Sequence, residues 1–327
     1  YTDVLHKAVS SSPEMVFPYR TTAQSVFKFS SEHVATWPPK YFLGLLAWSR
    51  GNTSAAKDLF ESCGEPAFAA FYAAKANLFD DQRSINLEKA MALDGKGWRY
   101  GKLLAQEYLA QGHLQEALMI ATKYHQDYPA NDGVAFLLAK CMIENKKYEA
   151  AYTLLMSKTF LPNEGSTEGR YLYREATMQQ AIQAMYKNDF TAALQFIGQA
   201  AQWPENLGVG KPYDEDIDSR IEKLCTAICW QRMGRLQEAQ KLFKDISEDR
   251  SHLDSPMLLI NALALKMSDQ EEQGNTLLES WQGRIPDSPI PAWCLSMYQQ
   301  QMNLTDPTMT LDSKNLIKSV VGYLNQQ

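Results

Sequence analysis

WRYGKLLAQEYLAQGHLQEALMIATKYHQDYP, residues 98–129, reads as two short amphipathic helices joined by a tight turn. Leu104, Ala105 and Tyr108 fall on one stripe of the first helix, and Ala117, Ala121 and Tyr124 on one stripe of the second, at the three- and four-residue spacings that put side chains on one helical face. Gly112 breaks the first helix and Pro129 stops the second. Each helix has about a dozen residues, a length at which an isolated helix is marginal in water. The pair therefore needs neighbours on which to bury its apolar stripe.

Those neighbours are in the sequence. Lys146 and Ala151 follow Gly112 and Ala117 by 34 residues, in a unit over 132–162. Upstream, Leu43, Gly44, Gly51, Ala56 and Phe60 repeat the order within 40–63, and a degenerate copy over 65–93 has a turn at 80–83 without glycine. Downstream, Ala181 and Ala193 flank the turn YKNDF, Ala227 and Ala239 flank Gly234, and Ala262 stands opposite Gly274 before the stop at Pro286. Small, aromatic and breaker residues in this order resemble the tetratricopeptide repeat, a helix-turn-helix unit of about 34 residues. The resemblance implies an all-α, right-handed solenoid of seven or eight hairpins. It would be organised as N-terminal capping helices over 1–39, repeats over 40–286 and C-terminal capping helices over 287–327. Ala105, Ala117, Ala139, Ala151, Ala181, Ala193, Ala227 and Ala239 are the expected seam, small because two backbones approach there. Trp37, Pro38 and Pro39 are read as the end of the preceding helix, since a residue before proline avoids helical dihedrals. The closing helices are placed at 293–302 and 311–324.

Two polar stretches interrupt the period: PNEGSTEG at 162–169 and WPENLGVGKPYDEDIDSR at 203–220. Within the second, GVGKP lacks the spacing and the hydroxyl residue of a phosphate loop: no glycine stands five before Gly210, and Pro212 follows the lysine. Asp214, Asp216 and Asp218 alternate as at the start of a calcium loop, but Ser219 and Cys225 occupy the places of the turn glycine and the bidentate glutamate. The acidic run reads instead as the first turn of a helix from Ile217, where carboxylates favour the positive end of the dipole. His6, His33, His113, His125 and His252 are dispersed and no nucleophile motif occurs. We therefore expect no catalytic residue, no metal and no cofactor in this chain.

The 32 basic and 38 acidic residues give a net charge of −6, which argues against nucleic acid or an anionic membrane surface as main partner. No stretch approaches the roughly 20 apolar residues of a membrane span. The five cysteines sit in or beside helical apolar stretches, and Cys225 and Cys229 lie four apart rather than as a metal or redox pair. Buried reduced thiols of a cytoplasmic protein are the expectation.

In a stack of such hairpins the first helices line the inner surface. In this register that face carries Arg99, Lys102, Gln106, Phe136, Lys140, Met178, Met185, Tyr186 and Arg232, a mixture of aromatic, methionine and basic groups suited to a peptide or a docked domain. Gln106 stands where the peptide-carboxylate clamp of some tetratricopeptide proteins has asparagine.

A further resemblance lies outside the repeats. WPENLGVGKPYD (203–214), LPNEG (161–165), GWRYGKLL (97–104) and VFPYR (16–20) resemble the C-terminal part of large YphG-type bacterial proteins, across nearly the whole chain. In that family an aldose-epimerase-like β-rich domain precedes a tetratricopeptide-like region. The resemblance implies that Tyr1 begins just after such a domain, and that the parent is cytoplasmic. The 203–214 loop then has two expected uses. One is to pack over the solenoid itself through Trp203 and Tyr213; the other is to dock the absent β-rich domain, lending Glu205, Asn206 or Lys211. The expected function is a non-catalytic interaction scaffold with a protein, a peptide or the parent's own domain as partner. The alternative is an accessory domain of a carbohydrate-acting enzyme.

Overall fold

The computed structural model describes residues 2–251, 254–301 and 314–326. Tyr1, His252, Met302 and residues 311–313, which enter the sequence reading, lie outside the described residues. The protein is all-α: eighteen α-helices and no strand occur among the described residues. It divides into two compact units, Tyr1–Cys141 and Met142–Gln327.

The first unit begins with α1 (Thr2–Val9) and α2 (Thr21–His33). Three helical hairpins follow: α3 (Trp37–Ser49) with α4 (Thr53–Glu61), α5 (Ala69–Leu78) with α6 (Arg83–Leu93), and α7 (Trp98–Ala110) with α8 (Leu114–Asp127). Most of α9 (Asp132–Glu144) completes it. The second unit continues through α10 (Tyr148–Met156) to α11 (Glu168–Tyr186) with α12 (Phe190–Ala200). It goes on to α13 (Arg220–Arg232) with α14 (Leu236–Glu248) and α15 (Leu258–Lys266) with α16 (Glu271–Arg284), then α17 (Pro289–Tyr298) and α18 (Lys314–Leu324). This is the tetratricopeptide-like fold that the spacing predicts.

All eight predicted seam alanines are buried, at 0% or 1% exposure. The seam is tight where glycine joins it. A Cβ on Gly101 would stand 1.9 Å from the Tyr124 ring, and one on Gly274 would stand 3.0 Å from the carbonyl oxygen of Ala262, the predicted opposite partner. In the first unit an aromatic cluster fills the space between hairpins, with Phe60 stacked on Phe71 at 5.2 Å between centroids.

The turns repeat as faithfully as the seam. Gly51, Gly112 and Gly234 are left-handed at φ 78–79°, and Lys146, Asn188, Asp269 and Gln300 take φ 58–60° at the corresponding place. At each, the next residue donates its N–H to the carbonyl five back: His113 to Tyr108 at 2.8 Å, Lys147 to Met142 at 2.8 Å, Asp189 to Ala184 at 2.9 Å, Arg235 to Trp230 at 2.8 Å. That bond, with the second one from the left-handed residue to the carbonyl three back, is the Schellman closure of a helix C-terminus. The α5–α6 turn, without glycine, instead passes through a 3₁₀ turn at Asp80–Gln82.

Two local expectations are corrected. Pro38 and Pro39 do not end a helix but sit in the first turn of α3, where the missing N–H has no intrahelical acceptor to lose. The helix expected from Ile217 starts at Arg220, because Asp214–Asp216 form a 3₁₀ turn and Asp218 turns back to accept from the Arg220 backbone N–H at 3.2 Å.

Candidate functional site

The inner-face residues separate into three groups. On α7, Arg99 and Gln106 are exposed and Lys102 is half-buried; Lys140 of α9 is exposed. Phe136, Met178 and Met185 do not line a surface: they are 9%, 0% and 1% exposed. The register placed them away from the alanine seam; for the two methionines the reason is that α11 is enclosed on more than one side, so its face opposite the seam is core as well. Tyr186 and Arg232 come together at α18, Tyr186 edge-on to Tyr323 at 5.1 Å and Arg232 beside the Tyr323 hydroxyl.

The cause is the position of α18. It packs on α11 and α13, first helices of their hairpins, and on α17, and buries Leu316, Ile317, Val320, Val321 and Tyr323. Asn315 donates to Glu144 at 3.1 Å. In the second unit, then, the chain's own C-terminal helix packs against the first-helix face that sequence reasoning offered to a partner, and Tyr186 and Arg232 stay exposed beside it.

The two interruptions of the period meet. Asn206 donates its amide to the carbonyls of Leu155 and Lys158, at 3.1 and 2.8 Å, and so satisfies groups left open at the end of α10. Its own carbonyl accepts from the Phe160 N–H at 2.8 Å. Leu207 is buried, and Gly208, left-handed at φ 68°, lies so close that a Cβ would stand 2.8 Å from the Phe160 oxygen. Trp203 is half-buried with the Arg170 guanidinium 4.6 Å from its ring centre. Tyr213, the other expected anchor, is 77% exposed; Asn206 and Leu207 anchor the loop instead. Glu205 is exposed, and Lys211 is exposed and paired with Asp214 at 2.7 Å.

Between the loops, the first turns of α11 and α13 and the start of α15 lies a cavity of about 600 Å³, with Ile317 of α18 in its wall. Its charges are arranged in pairs. Arg174 holds Glu222 through two bonds, Nε to Oε1 at 2.5 Å and Nη2 to Oε2 at 2.7 Å. Asp218 is held by Arg220, which is fully buried and also donates to Asn261 at 2.7 Å. Arg170, 7% exposed, donates Nη2 to the Ala200 carbonyl at 2.6 Å. Burial, and then the charge of Arg174, pull its pKa down to about 10, so it remains cationic at neutral pH.

Sequence reasoning missed Arg170, Arg174 and Glu222. A signal was available: each interruption leads directly into a first helix whose opening turns carry charge, Arg170 and Arg174 four apart after the first and Glu222 after the second.

The five cysteines are free thiols, all buried. Among the described residues no cluster of three or more His, Cys, Asp or Glu is placed to hold a metal, and no helix is long and apolar enough to cross a membrane.

Comparison with known proteins agrees with the architecture. The family model described as "Tetratricopeptide repeat" matches residues 108–157. No curated protein sequence matches significantly. Among solved structures, a tetratricopeptide repeat protein from Parabacteroides merdae is similar at TM-score 0.51 and 11% identity, over 81% of this chain and 100% of that one. Yeast Tom70 gives TM-score 0.41 at 15% identity over 100% of this chain and 72% of that one. PilF of Pseudomonas aeruginosa gives 0.38 at 18% over 72% and 95%. At such identities the likeness to the Parabacteroides protein speaks for the fold, and the chain is tetratricopeptide-like in fold.

Proposed function

We propose that this chain is a non-catalytic scaffold that holds another protein segment or domain on its first unit. The observation that supports this is an apolar surface left exposed among the described residues. Met15, Phe17, Tyr19, Val26 and Phe29, from the segment before α2 and from α2 itself, are 55–79% exposed. Isolated exposed apolar residues are ordinary, but five within fifteen residues mark a surface that meets something. The basic side chains Arg99 and Lys140 are exposed, and Lys102 half-buried, on the same unit. The first unit rather than the second is favoured because α18 already occupies the first-helix face of the second.

In this reading residues 1–39 are the N-terminal cap, 40–286 the repeats and 287–327 the C-terminal cap; the helix that opens the first hairpin, α3, starts at Trp37. A docked protein domain, such as the β-rich domain that the family resemblance implies, is the form of partner that suits an apolar patch of this kind. Cytoplasmic residence goes with it. The carbohydrate-enzyme alternative draws no support from the loop, whose Glu205 points to solvent and whose Lys211 is engaged with Asp214.

Site-specific photo-crosslinking from positions 17 and 29, with competition by Phe17→Ser and Phe29→Ser, tests the patch. Lys102→Glu with Lys140→Glu tests the basic face. One partner lost with the first pair supports the proposal, and loss with the second pair moves the site along the same unit. A partner that tolerates both pairs overturns it.

A further inference from the structure

The cavity between the two interruptions holds a charge that the protein does not satisfy. Arg170 lines it, is more than nine-tenths buried, and its Nε and Nη1 have no acceptor among the described residues. The indole N–H of Trp203, in the same wall and stacked on that guanidinium, has none either. Buried donors normally find partners, and a buried guanidinium with two idle nitrogens is costly to leave so. Every other charge buried in this wall is paired, Arg174 with Glu222 and Arg220 with Asp218. The missing component is an acceptor that brings one negative charge.

We propose that this cavity is a binding site for a monoanionic carboxylate on an apolar body, its oxygens on Arg170 and the Trp203 N–H. The site goes beyond the scaffold reading and does not depend on it. Three features select this chemistry. Trp203, Val209, Pro212, Ile217, Met257 and Ile317 make the wall largely apolar, which suits a hydrocarbon or aromatic body. Asp216, Asp218 and Glu222 lie around the same cavity, so a dianionic phosphate meets more repulsion than a carboxylate does. A planar guanidinium offers a carboxylate a matched pair of N–H donors, here Nε or Nη1 together with the second hydrogen of Nη2. The volume, about 600 Å³, is that of an ordinary small-molecule pocket. The same carboxylate group is carried by a free organic acid and by the C-terminus of a peptide with an apolar last residue.

Calorimetric titration of the full chain, with tryptophan fluorescence in parallel, tests the assignment. The probes are 3-phenylpropionate, its primary amide, phenyl phosphate, and the peptide acetyl-Gly-Ile-Phe as free acid and as C-terminal amide. At least one acid is expected to saturate below about 1 mM, with its amide weaker by at least about tenfold. Saturation by 3-phenylpropionate assigns the site to free acids, and saturation by the peptide acid alone assigns it to chain termini; both support the carboxylate. Arg170→Lys keeps the charge and loses the fork. Gly210→Trp fills the cavity's edge at a position where an added Cβ meets nothing within 4 Å. Both are expected to weaken binding by about tenfold or more with unchanged circular dichroism. Should Arg170→Lys fail to fold, Gly210→Trp and the amides still decide. No saturation by either acid, equal binding of acid and amide, tighter binding of phenyl phosphate, or wild-type affinity in folded Gly210→Trp would each overturn the proposal.

Discussion

Glycine and alanine set the distances in this protein, and two glycines on helices show how local that constraint is. A methyl group on Gly101 would fall 1.9 Å from Tyr124, whereas one on Gly198 of α12 would meet nothing within 4 Å. Both exchanges gain helix propensity, about 0.5–1 kcal/mol for alanine over glycine. Gly198→Ala is therefore expected to stabilise the chain by that amount. Gly101→Ala is expected to cost about 1–3 kcal/mol net, because the Tyr124 ring is enclosed and cannot retreat; thermal denaturation of the two variants checks the contrast, and a stabilised Gly101→Ala would refute the seam geometry. A second residue-scale effect comes from Glu175 on α11. Burial raises its pKa from 4.5 to about 7, with Gln179 opposing through a hydrogen bond and the Glu144 charge adding to the rise. The folded state thus holds the Glu175 proton more tightly than the unfolded chain does. Its contribution is favourable below about pH 4.5 and is lost as pH rises through about 7. Glu175→Gln keeps the neutral shape, so it is expected to be more stable than the parent at pH 8 by on the order of 2 kcal/mol and equal to it near pH 4. Melting both proteins across that range measures the difference, and a gap independent of pH would contradict the assignment.

At the scale of helices and turns, the sequence carried the repeat because the physics of each hairpin is local. Alanine spacing gave the seam, since only small side chains let backbones approach, and Gly112 gave the left-handed turn. Lys146 was aligned with Gly112 by distance alone, and it does take the left-handed conformation there, at φ 59°. That conformation is strained for a lysine, so Lys146→Gly is expected to gain about 0.5–1 kcal/mol and Gly112→Ala to lose about 1 kcal/mol. Equilibrium unfolding of both reads this out; a loss for Lys146→Gly or a gain for Gly112→Ala would mean the turns are not equivalent. What was not legible is longer in range. The pattern of α18 announces an apolar face but not the surface it packs on, so Tyr186 and Arg232 read as free when both meet Tyr323 of α18. Arg170 reads as one solvated charge among many, because burial of a guanidinium depends on the 162–169 and 203–220 loops folding toward each other. The proline pair was ambiguous for a simpler reason: a proline marks a boundary from either side, and only the packing of α3 chooses.

At the scale of the whole chain, the hairpins within each unit pack against their sequence neighbours, and the stability of such an array is close to a sum of local terms. This makes the reach of a lesion measurable. Ala117 in the first unit and Ala193 in the second are both 0% exposed at their seams. Arginine at either place must push two backbones apart or bury a charge without a partner, a cost of several kcal/mol. In a single cooperative core that cost would appear everywhere at once. In a chain of local terms it stays near its source, because a damaged hairpin loses its own contacts and weakens only those of its neighbours. Hydrogen exchange resolved by peptide mass is the suitable measurement. Ala117→Arg is expected to remove protection from α7, α8 and the flanking hairpins while α13 to α16 keep theirs. Ala193→Arg is expected to expose α11 to α14 while α3 to α6 remain protected. Uniform loss of protection in either variant would show that the two units share one cooperative transition, and the additive picture of the repeats would fail with it.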